Sequence, residues 1–459
     1  MKKEILVRIL ASLALICMIL PMLAFCVRAD GGGASADIFK SNIPKAPDMN
    51  GVAGAYVYNV DNSTEVLAYN GENRIYPASL VKVAAFALAS EKLSGRLDEK
   101  VTVTQQMLSG TVGTYIGIEA GETFTVKELF YIAFCGCFND AVNIIANVCS
   151  GSVSAFVAEM NLKAAQLGAT GTVFTNPTGI HNNGMYSTMS DLGKILLDAS
   201  RDPLVMQITS TSKIELEKSE DHDRYMIYNR NMLISDRTTA KYINPCANGL
   251  NAGSTVESGE CVATIAKKEG LSYLCIVVGG KEQVTDDGEK YITSYKLINE
   301  LIDWSFESFG YVKLFDSSVP CADLSVKYGI DVDVVSVVPD GEIIMYLPLS
   351  FDVESKLDYR MRFDKPEFEA PLKKGDTVGR MTVLYEGEPL GEVSLKLTKD
   401  VEKDTFLYTL DSIKAFSQNR VFLLTVVCAI GYTVLFTVCA SLLRRFGGGK
   451  KKKKNNSLR

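Results

Sequence analysis

The sequence contains little histidine: the 459 residues include only His181 and His222. The chain therefore offers few candidates for the histidine of a serine–histidine–aspartate triad. No Cys-x-x-Cys pair and no cysteine–histidine cluster has the spacing of a zinc site. Cys135 and Cys137 form a Cys-x-Cys pair, but it lacks further ligands nearby. The sequence predicts neither a metal site nor a cofactor.

The central part of the chain has no excess of positive charge. The net charge is −6, of which residues 1–29 contribute +3 and residues 444–459 contribute +8, which leaves −17 for the rest. An acidic body of this kind lacks the basic surface that binding to a phosphate backbone requires. The sequence therefore predicts no nucleic-acid partner, and the basic tail is better explained by membrane topology and contact with anionic lipid.

Both ends carry long apolar runs. Lys2, Lys3 and Arg8 precede the run "ILASLALICMILPMLAFC", which ends near small residues. This pattern predicts a secretory signal peptide over residues 1–29, with cleavage after Ala29 or Ala36. An uncleaved anchor is the alternative, and a lipoprotein signal fits less well because the large Phe25 precedes the cysteine.

Near the other end, Val421–Leu443 is a stretch of 23 residues without a charge. At 1.5 Å per residue it is long enough to cross a hydrocarbon layer of roughly 30 Å. The basic residues 444–459 follow it, which makes a buried core helix a poor alternative and predicts a cytoplasmic tail. The sequence thus predicts a single-pass protein of the cell membrane with a C-terminal transmembrane helix at 421–443 and an extracellular body.

The 11 cysteines do not form a disulfide pattern. Two lie in the signal segment, and Cys428 and Cys439 lie in the membrane segment, so an odd number remains in the exported part. Their placement is irregular, which favours buried thiols over a disulfide framework.

The exported part divides into two regions of different periodicity. Residues 37–310 mix strands and helices, with strand-like runs at both ends and helices between, which indicates an α/β layer with a helical insert. The predicted elements of this region include helices over 79–93, which Pro77 introduces, and over 125–135, 140–149 and 189–200, and adjacent strands over 261–268 and 271–280. Residues 312–402 alternate as short strands separated by Gly/Pro turns, typical of a small antiparallel β domain without catalytic residues. Residues 403–420 are interpreted as a connector to the membrane.

The stretch "YPASLVKVAAFALAS" places Lys82 in an apolar helix three residues after Ser79. Residues three apart lie on one helix face. A serine hydroxyl needs a neighbouring base, and burial lowers the pKa of a lysine so that it can serve as one. Alone the pattern is weak, because Ser-x-x-Lys arises by chance and a lysine can extend from a helix end to solvent.

Further segments make the pattern more specific. Together with "YPASLVKVAAFALA", the stretches "NDAVNIIA", "FTNPTGIHNNGMYSTMSDLGKIL", "GLNAGSTVESGECVATIAKKEGLSYLCIVVGG" and "EAPLKKGDTVGRMTVLYEGEPLGEVSL" resemble the serine-type D-alanyl-D-alanine carboxypeptidases. These are low-molecular-mass penicillin-binding proteins of peptidase family S11, whose motif set is Ser-x-x-Lys, Ser-x-Asn and Lys-Thr-Gly. The resemblance covers nearly all of the exported part. It implies a penicillin-binding/β-lactamase-like domain, with an antiparallel sheet, helices and a helical subdomain, followed by the small all-β domain.

The first motif is matched in full and the second only in part. The resemblance implies that Ser79 is the acylated nucleophile and Lys82 its general base. Asn139 in "CFNDA" matches the asparagine of the second motif, but Cys137 stands where the family has serine. A thiol is a weaker hydrogen-bond partner than a hydroxyl, so it would relay a proton less well.

The third motif departs further. Asn251 and Ala252 stand where lysine and threonine are usual, and Gly253 is kept. The resemblance implies that these residues bind substrate and that the main-chain N–H groups of Ser79 and Ser254 form the oxyanion hole. Asn251 cannot supply the positive charge that meets the terminal carboxylate, which would cost on the order of tenfold in binding.

Three functions follow, in order of preference. The first is a serine-type carboxypeptidase that removes the terminal D-Ala from peptidoglycan stem peptides, with reduced or altered activity, and with β-lactams as covalent inhibitors. The second is a catalytically silent family member that binds peptidoglycan or a partner at the outer membrane face. The third is hydrolysis of another ester or amide, such as a β-lactam.

His181 is interpreted as a loop-organising residue, and Asp191 as a helix cap rather than a catalytic acid.

Overall fold

The computed structural model describes residues 34–218, 220–285 and 287–446. The predicted signal peptide and the lysine-rich end of the tail lie outside these residues. Two compact units are present. Among the described residues, the first consists of Asp37–Val312 and Tyr346–Phe351, and the second includes Lys313–Met345 and residues 352–446.

The regular elements are numbered in chain order. The helices are α1 (Ala34–Lys40), α2 (Val81–Leu93), α3 (Val126–Phe130), α4 (Asn139–Ser150), α5 (Val153–Gln166), α6 (Met189–Ser200), α7 (Pro203–Thr209), α8 (Thr293–Ser308), α9 (Val353–Lys356), α10 (Thr405–Ser417) and α11 (Arg420–Phe446). The strands are β1 (Gly54–Asn59), β2 (Thr64–Tyr69), β3 (Lys100–Thr102), β4 (Thr123–Thr125), β5 (Lys213–Leu216), β6 (Tyr225–Tyr228), β7 (Ala247–Thr255), β8 (Gly259–Lys268), β9 (Leu271–Gly280), β10 (Glu282–Val284), β11 (Lys290–Ile292), β12 (Phe309–Lys313), β13 (Ala322–Lys327), β14 (Val334–Asp340), β15 (Ile344–Pro348), β16 (Leu357–Phe363), β17 (Phe368–Glu369), β18 (Thr377–Tyr385) and β19 (Glu388–Leu397).

An antiparallel five-stranded sheet organises the first unit, in the order β2-β1-β9-β8-β7. Side chains alternate between its two faces, as strand geometry requires. Ala55 and Val57 enter a core that includes residues of α8, whereas Tyr56 enters a second core formed with the helices that include α2 and α6. The sheet is therefore covered on both faces, and β7 forms one of its edges.

Helix α2 lies in the centre of the helical part of this unit. Almost every residue along it is buried, including Lys82. A helix that is apolar on all sides is expected to be enclosed by other elements, and here it packs against α4, α5, α6 and α7. The predicted helices over residues 79–93, 125–135, 140–149 and 189–200 are present, the second of them ending in a π-helical turn over Tyr131–Cys135. Helix α5 was not predicted.

The second unit contains a six-stranded sheet in the order β16-β18-β19-β14-β13-β17. This confirms the predicted small β domain after an α/β domain. The segment interpreted as a connector contains the regular helix α10, whose start is capped by Asp404. Within α11, residues Arg420–Arg445 are long and apolar enough to cross a membrane.

The cysteines of the first unit are free thiols, and no disulfide joins cysteines within the residues the structure describes. Cys135, Cys137, Cys261 and Cys275 are buried, as predicted for most of the exported thiols. Burial raises the pKa of Cys261 and of Cys275 to about 12, so both are inert at neutral pH.

One predicted helix cap is wrong in detail. Thr188, not Asp191, caps α6 by accepting the Asp191 N–H at 3.1 Å. The Asp191 carboxylate instead accepts the Gly171 N–H at 2.7 Å and the Thr172 hydroxyl at 3.1 Å. It therefore ties the preceding loop to the helix, a structural role that local sequence alone does not distinguish from capping.

Candidate active site

Ser79 lies in a single 3-10 turn, Ala78–Leu80, that leads directly into α2. The preceding residue, Ala78, has a φ of +47°, which is unfavourable for a residue with a side chain and is typical of strained functional sites. Gly179 packs against this turn so closely that a Cβ atom there would lie 1.9 Å from the Ala78 carbonyl oxygen. Only glycine at position 179 is compatible with this placement of Ser79.

The Lys82 amine faces Ser79 from one helical turn further on. Its Nζ lies 3.4 Å from Ser79 Oγ, and it donates a hydrogen bond of 2.6 Å to the Thr178 carbonyl oxygen. Only 2% of the residue is exposed. Burial lowers the pKa of Lys82, since water is not available to stabilise the charged form, while the neighbouring Cys137 opposes this shift. A neutral amine can donate to Thr178 and still present its lone pair to Ser79.

The Thr178 carbonyl is held in place by a tight turn with the sequence Asn-Pro-Thr-Gly. The Asn176 side-chain oxygen accepts the N–H groups of Thr178 and Gly179, at 3.2 and 2.8 Å. Its amide nitrogen donates to the Ile180 carbonyl at 2.9 Å. This turn therefore fixes both the partner of Lys82 and the close approach of Gly179.

The second predicted element, residues 137–139, lies beside Lys82. Cys137 is buried and has a φ of +66°, and its Sγ lies 3.8 Å from the Ala252 carbonyl oxygen. Asn139 begins α4, with 3% of the residue exposed. Its Nδ2 donates to the Val112 carbonyl at 2.7 Å. Its Oδ1 is buried without a hydrogen-bond partner among the described residues, which leaves an acceptor at the wall of the site.

A loop over residues 112–118 forms the facing wall, and Asp140 holds it. One carboxylate oxygen of Asp140 accepts the N–H groups of Ile116, Gly117 and Ile118, at 3.0 to 3.2 Å. Three such bonds to one buried oxygen impose a fixed loop path. Gly113 and Thr114 are thereby held at the edge of the site.

Edge strand β7 passes on the other side of Ser79. A Cβ atom at Gly253 would lie 2.6 Å from Ser79 Oγ, so glycine is needed here to leave room for the hydroxyl. The Ala252 carbonyl faces Cys137 rather than β8. Because alternate residues of a strand direct their N–H and C=O groups to the same side, the Ser254 N–H also faces away from β8, toward the site.

Asn251 and Ala252 do not line the site. The Asn251 side chain, in a residue only 2% exposed, lies behind the nucleophile. Its Nδ2 donates to the Ser79 carbonyl at 3.1 Å, and its Oδ1 accepts the Ala252 N–H at 2.8 Å. Both ends of the amide are therefore used within the protein.

Ser79 opens into a cleft of about 320 Å³ that brings together five of the eight predicted site residues and several others. Its lining consists of Ser79, Lys82, Gly113, Thr114, Cys137, Asn139, Thr178, Gly179, Ile180, His181, Arg230, Ser254, Thr255, Val256 and Glu257; Gly253 contributes its backbone beside Ser79. His181 bonds Asn183 at 3.1 Å through Nε2 and packs edge-on against the Tyr76 ring, which fits the predicted organising role.

Two charged residues of this cleft were not predicted. Arg230 follows β6, and Glu257 lies in the turn between β7 and β8. Within the described residues, no carboxylate lies within ion-pair distance of Arg230. Neither residue stands in one of the sequence motifs, so spacing could not have revealed them. The Asn-Pro-Thr-Gly turn, by contrast, is a local signal that could have marked Thr178.

A larger cleft of about 740 Å³ lies in the second unit, lined by residues that include Phe315, Pro339, Met361 and Met381. It contains none of the predicted catalytic residues. Chemistry therefore places the candidate active site in the smaller cleft, where the Ser79 hydroxyl faces the buried Lys82 amine, whose pKa is lowered by burial.

Comparisons with known proteins show which sequence families the two regions of the chain match. Residues 41–282 match the sequence family described as "D-alanyl-D-alanine carboxypeptidase", and residues 309–403 match the family described as "Penicillin-binding protein 5, C-terminal domain". The chain is 26% identical over 354 residues to the D-alanyl-D-alanine carboxypeptidase DacF of Bacillus subtilis, covering 76% of this chain and 86% of that protein. It is 24% identical over 376 residues to DacA of Escherichia coli, covering 80% and 87%.

Solved structures show the same fold. Penicillin-binding protein 5 from Haemophilus influenzae superposes with a TM-score of 0.53 at 22% identity, covering 78% of this chain and 100% of that one. The D-alanyl-D-alanine carboxypeptidase DacD from Francisella tularensis superposes with a TM-score of 0.54 at 18% identity, covering 78% and 95%.

Proposed function

This chain belongs to the D-alanyl-D-alanine carboxypeptidase family, and from that premise we propose that it removes the terminal D-alanine from peptidoglycan stem peptides through an acyl-enzyme on Ser79. The observation that carries the proposal is the buried Lys82 amine, 3.4 Å from Ser79 Oγ and held by Thr178. A lowered pKa makes this amine a general base at a pH where an exposed lysine is charged.

In the acylation step the Ser79 hydroxyl gives its proton to Lys82 Nζ, and Oγ attacks the carbonyl carbon of the penultimate D-alanine. The bond between that carbon and the terminal amide nitrogen breaks, and the proton passes from Lys82 to the departing amine. The products are an ester on Ser79 and free D-alanine. Water then attacks the ester carbonyl carbon while Lys82 again accepts the proton. The bond from that carbon to Ser79 Oγ breaks, the proton passes from Lys82 to Oγ, and the shortened peptide leaves as a carboxylic acid.

The tetrahedral oxyanion needs donors beside Ser79. The direction of the Ser254 N–H, away from β8 and toward the cleft, supports it as one donor, and the Ser79 N–H at the start of the helical turn is proposed as the other. Loss of one such donor costs roughly 3–4 kcal/mol of transition-state stabilisation in other enzymes. Both donors belong to the main chain, so they persist although Asn251 and Ala252 depart from the family motif.

Arg230 is proposed to bind the terminal carboxylate. Its neighbour Asn231 donates to the Gly249 carbonyl at 3.1 Å, which locates this segment beside the start of β7. The Arg230 side chain is exposed in the cleft and has no carboxylate partner among the described residues. An arginine can meet a carboxylate with two parallel hydrogen bonds, so it compensates for the charge that Asn251 does not supply.

Asn251 is then a positioning residue rather than a substrate ligand, because both ends of its amide bond main-chain atoms at Ser79 and Ala252. Cys137, beside Lys82, is proposed to take part in returning the proton to the leaving amine, with the weaker hydrogen bonding of a thiol. We infer slower turnover from Cys137 but not loss of acylation.

The proposed location is the outer face of the cell membrane. The apolar helix within Arg420–Arg445 and the basic residues after it support a C-terminal anchor with the tail inside the cell. The β domain is proposed to hold the catalytic domain above the membrane. β-Lactams are proposed as covalent inhibitors, since they acylate the same nucleophile.

A catalytically silent member that binds peptidoglycan is the second candidate. The use of the Asn251 amide within the protein favours it, because the family lysine is replaced by a group that does not reach the cleft. Under this alternative the cleft would hold a stem peptide without cleaving it.

The experiment that separates the two uses the full chain in detergent with a fluorescent penicillin and a D-Ala-D-Ala peptide. We expect a covalent adduct and release of D-alanine, both absent in Ser79→Ala, with Ser109→Ala as a control in an exposed turn outside the cleft. Arg230→Gln is expected to raise KM for a peptide acid by about tenfold while leaving a peptide carboxamide unaffected. A folded chain that binds the peptide but forms no adduct and releases no D-alanine would support the silent alternative.

A further inference from the structure

Strand β7 arranges the charged groups of the cleft in order along its length. Arg230 lies beside the start of the strand, through the bond between Asn231 and Gly249. Gly253 lies at Ser79 Oγ, and Glu257 follows the end of the strand. A strand rises about 3.3 Å per residue, so the cleft has a positive end and a negative end on either side of the nucleophile.

This order constrains how an extended peptide lies in the cleft. β7 has β8 on one side only, so its outer edge can pair with an added peptide strand. With the terminal carboxylate at Arg230 and the scissile carbonyl at Ser79, the acyl side of the peptide runs toward Thr255 and Glu257. The residue before the acyl residue then lies about 3.3 Å further along, within side-chain reach of the turn.

Glu257 is available to a ligand at this end. Its side chain is 43% exposed, and the His181 ring lies beside it, with Nδ1 3.9 Å from the Glu257 carboxylate. In the part of the chain that the structure describes, no lysine or arginine lies within ion-pair distance of it. His181 is itself held by Asn183 and Tyr76, so it forms a fixed wall on one side of Glu257. The other sides of the Glu257 side chain face the open cleft.

We propose that Glu257 is a specificity-determining residue that selects peptides with a primary amine on the side chain of the residue preceding the two D-alanines. The proposal rests on the proposed function, because it uses the orientation in which Ser79 attacks the penultimate carbonyl. A cationic side chain at that position meets the Glu257 carboxylate, whereas a neutral or acidic one leaves the carboxylate unpaired or repelled.

The test uses the full chain and three acetylated tripeptides ending in D-Ala-D-Ala, with lysine, Nε-acetyllysine or glutamate in the first position. We expect kcat/KM for the lysine peptide to exceed that for the acetyllysine peptide by about tenfold. Glu257→Gln should bring the two within about threefold, and Glu257→Lys should make the glutamate peptide the preferred one. Glu269→Gln, an exposed glutamate in the turn between β8 and β9, is the control that should keep the wild-type preference.

A second measurement separates this proposal from the proposed function. Binding of the same peptides to Ser79→Ala requires no turnover, and there too the lysine peptide should bind about tenfold tighter, with the preference lost in Ser79→Ala combined with Glu257→Gln. Release of D-alanine at equal rates from all three peptides would overturn the specificity proposal and leave the carboxypeptidase intact. Absence of D-alanine release would overturn the proposed carboxypeptidase activity, and the role of Glu257 in specificity would then be judged from the binding preference alone. Equal binding of the three peptides, or no binding of any of them, would overturn the specificity proposal.

Discussion

The side chain of Asn251 donates a hydrogen bond of 3.1 Å to the carbonyl oxygen of Ser79, which joins edge strand β7 to the residue proposed as nucleophile. The two residues are 172 positions apart in the chain. A residue that aligns with a substrate-binding lysine in the family motif is thus part of the support for the helical turn. Replacing Asn251 should therefore affect the position of Ser79 more directly than it affects the binding of a substrate carboxylate.

Asn251→Ala is expected to lower the free energy of unfolding by about 1–3 kcal/mol, because the buried Ser79 carbonyl and Ala252 N–H each lose a partner. The rate of acylation by penicillin should fall with it. Chemical denaturation and a stopped labelling reaction measure the two effects, with Asn73→Ala as an exposed control. An unchanged stability would contradict the structural role assigned to this amide.

Gly253→Ala is expected to reduce acylation of Ser79 by more than 100-fold while the chain remains folded. The new methyl group would lie 2.6 Å from Ser79 Oγ, which is shorter than any normal contact. Backbone strain is not the cause, since Gly253 is not among the residues with positive φ. Gly95→Ala, where a Cβ atom meets nothing within 4 Å, is the matched control. Normal labelling of Gly253→Ala would show that Ser79 reacts from another position.

The lowered pKa of Lys82 predicts a pH dependence of both activity and stability. Acylation should increase as the pH rises through that pKa, because the neutral amine is the base. Between the lowered pKa and the ordinary value of 10.5, the unfolded chain holds a proton that the folded chain has lost, so the free energy of unfolding should rise with pH.

Lys82→Met isolates this contribution. The variant should be inactive, and the difference in free energy of unfolding, wild type minus variant, should increase as the pH rises toward 10.5 and then level off. Urea titrations over this range measure the difference, in which the titration of other lysines and tyrosines cancels. A difference independent of pH would mean that Lys82 keeps an ordinary pKa when folded.

Cys137→Ser is expected to increase the rate of D-alanine release by several-fold. A hydroxyl is a stronger hydrogen-bond donor and acceptor than a thiol, and this side chain lies between Lys82 and the Ala252 carbonyl. Cys137→Ala should lower the rate, while Cys261→Ser, in a buried thiol that does not line the cleft, leaves Ser79 and Lys82 untouched. A serine variant slower than wild type would indicate that the cleft is adapted to the larger sulfur atom.

Much of the fold could be predicted because it depends on local patterns. Local patterns predicted α2 as an apolar helix introduced by Pro77, α6 as an amphipathic helix, and β8 and β9 as adjacent strands, all with nearly the observed bounds. Helix α5 was missed although Ser152 caps its start, because its apolar residues are spread around the helix and do not form one clear face. The segment before the membrane was interpreted as a connector, yet it forms α10, whose exposed apolar side chains give no local sign of a core.

The sequence by itself determined that Ser79 and Lys82 share one helix face and that the lysine is flanked by apolar residues of the same helix. It also determined that an α/β domain precedes a β domain and an apolar terminal helix. These features follow from spacing and composition, which act over a few residues. Only the tertiary structure decided that Asn251 supports Ser79, that Thr178 holds Lys82, and that Arg230 and Glu257 lie in the same cleft. Each of these contacts joins residues distant in the chain, so it depends on sheet register and on the path of loops, which no local pattern specifies.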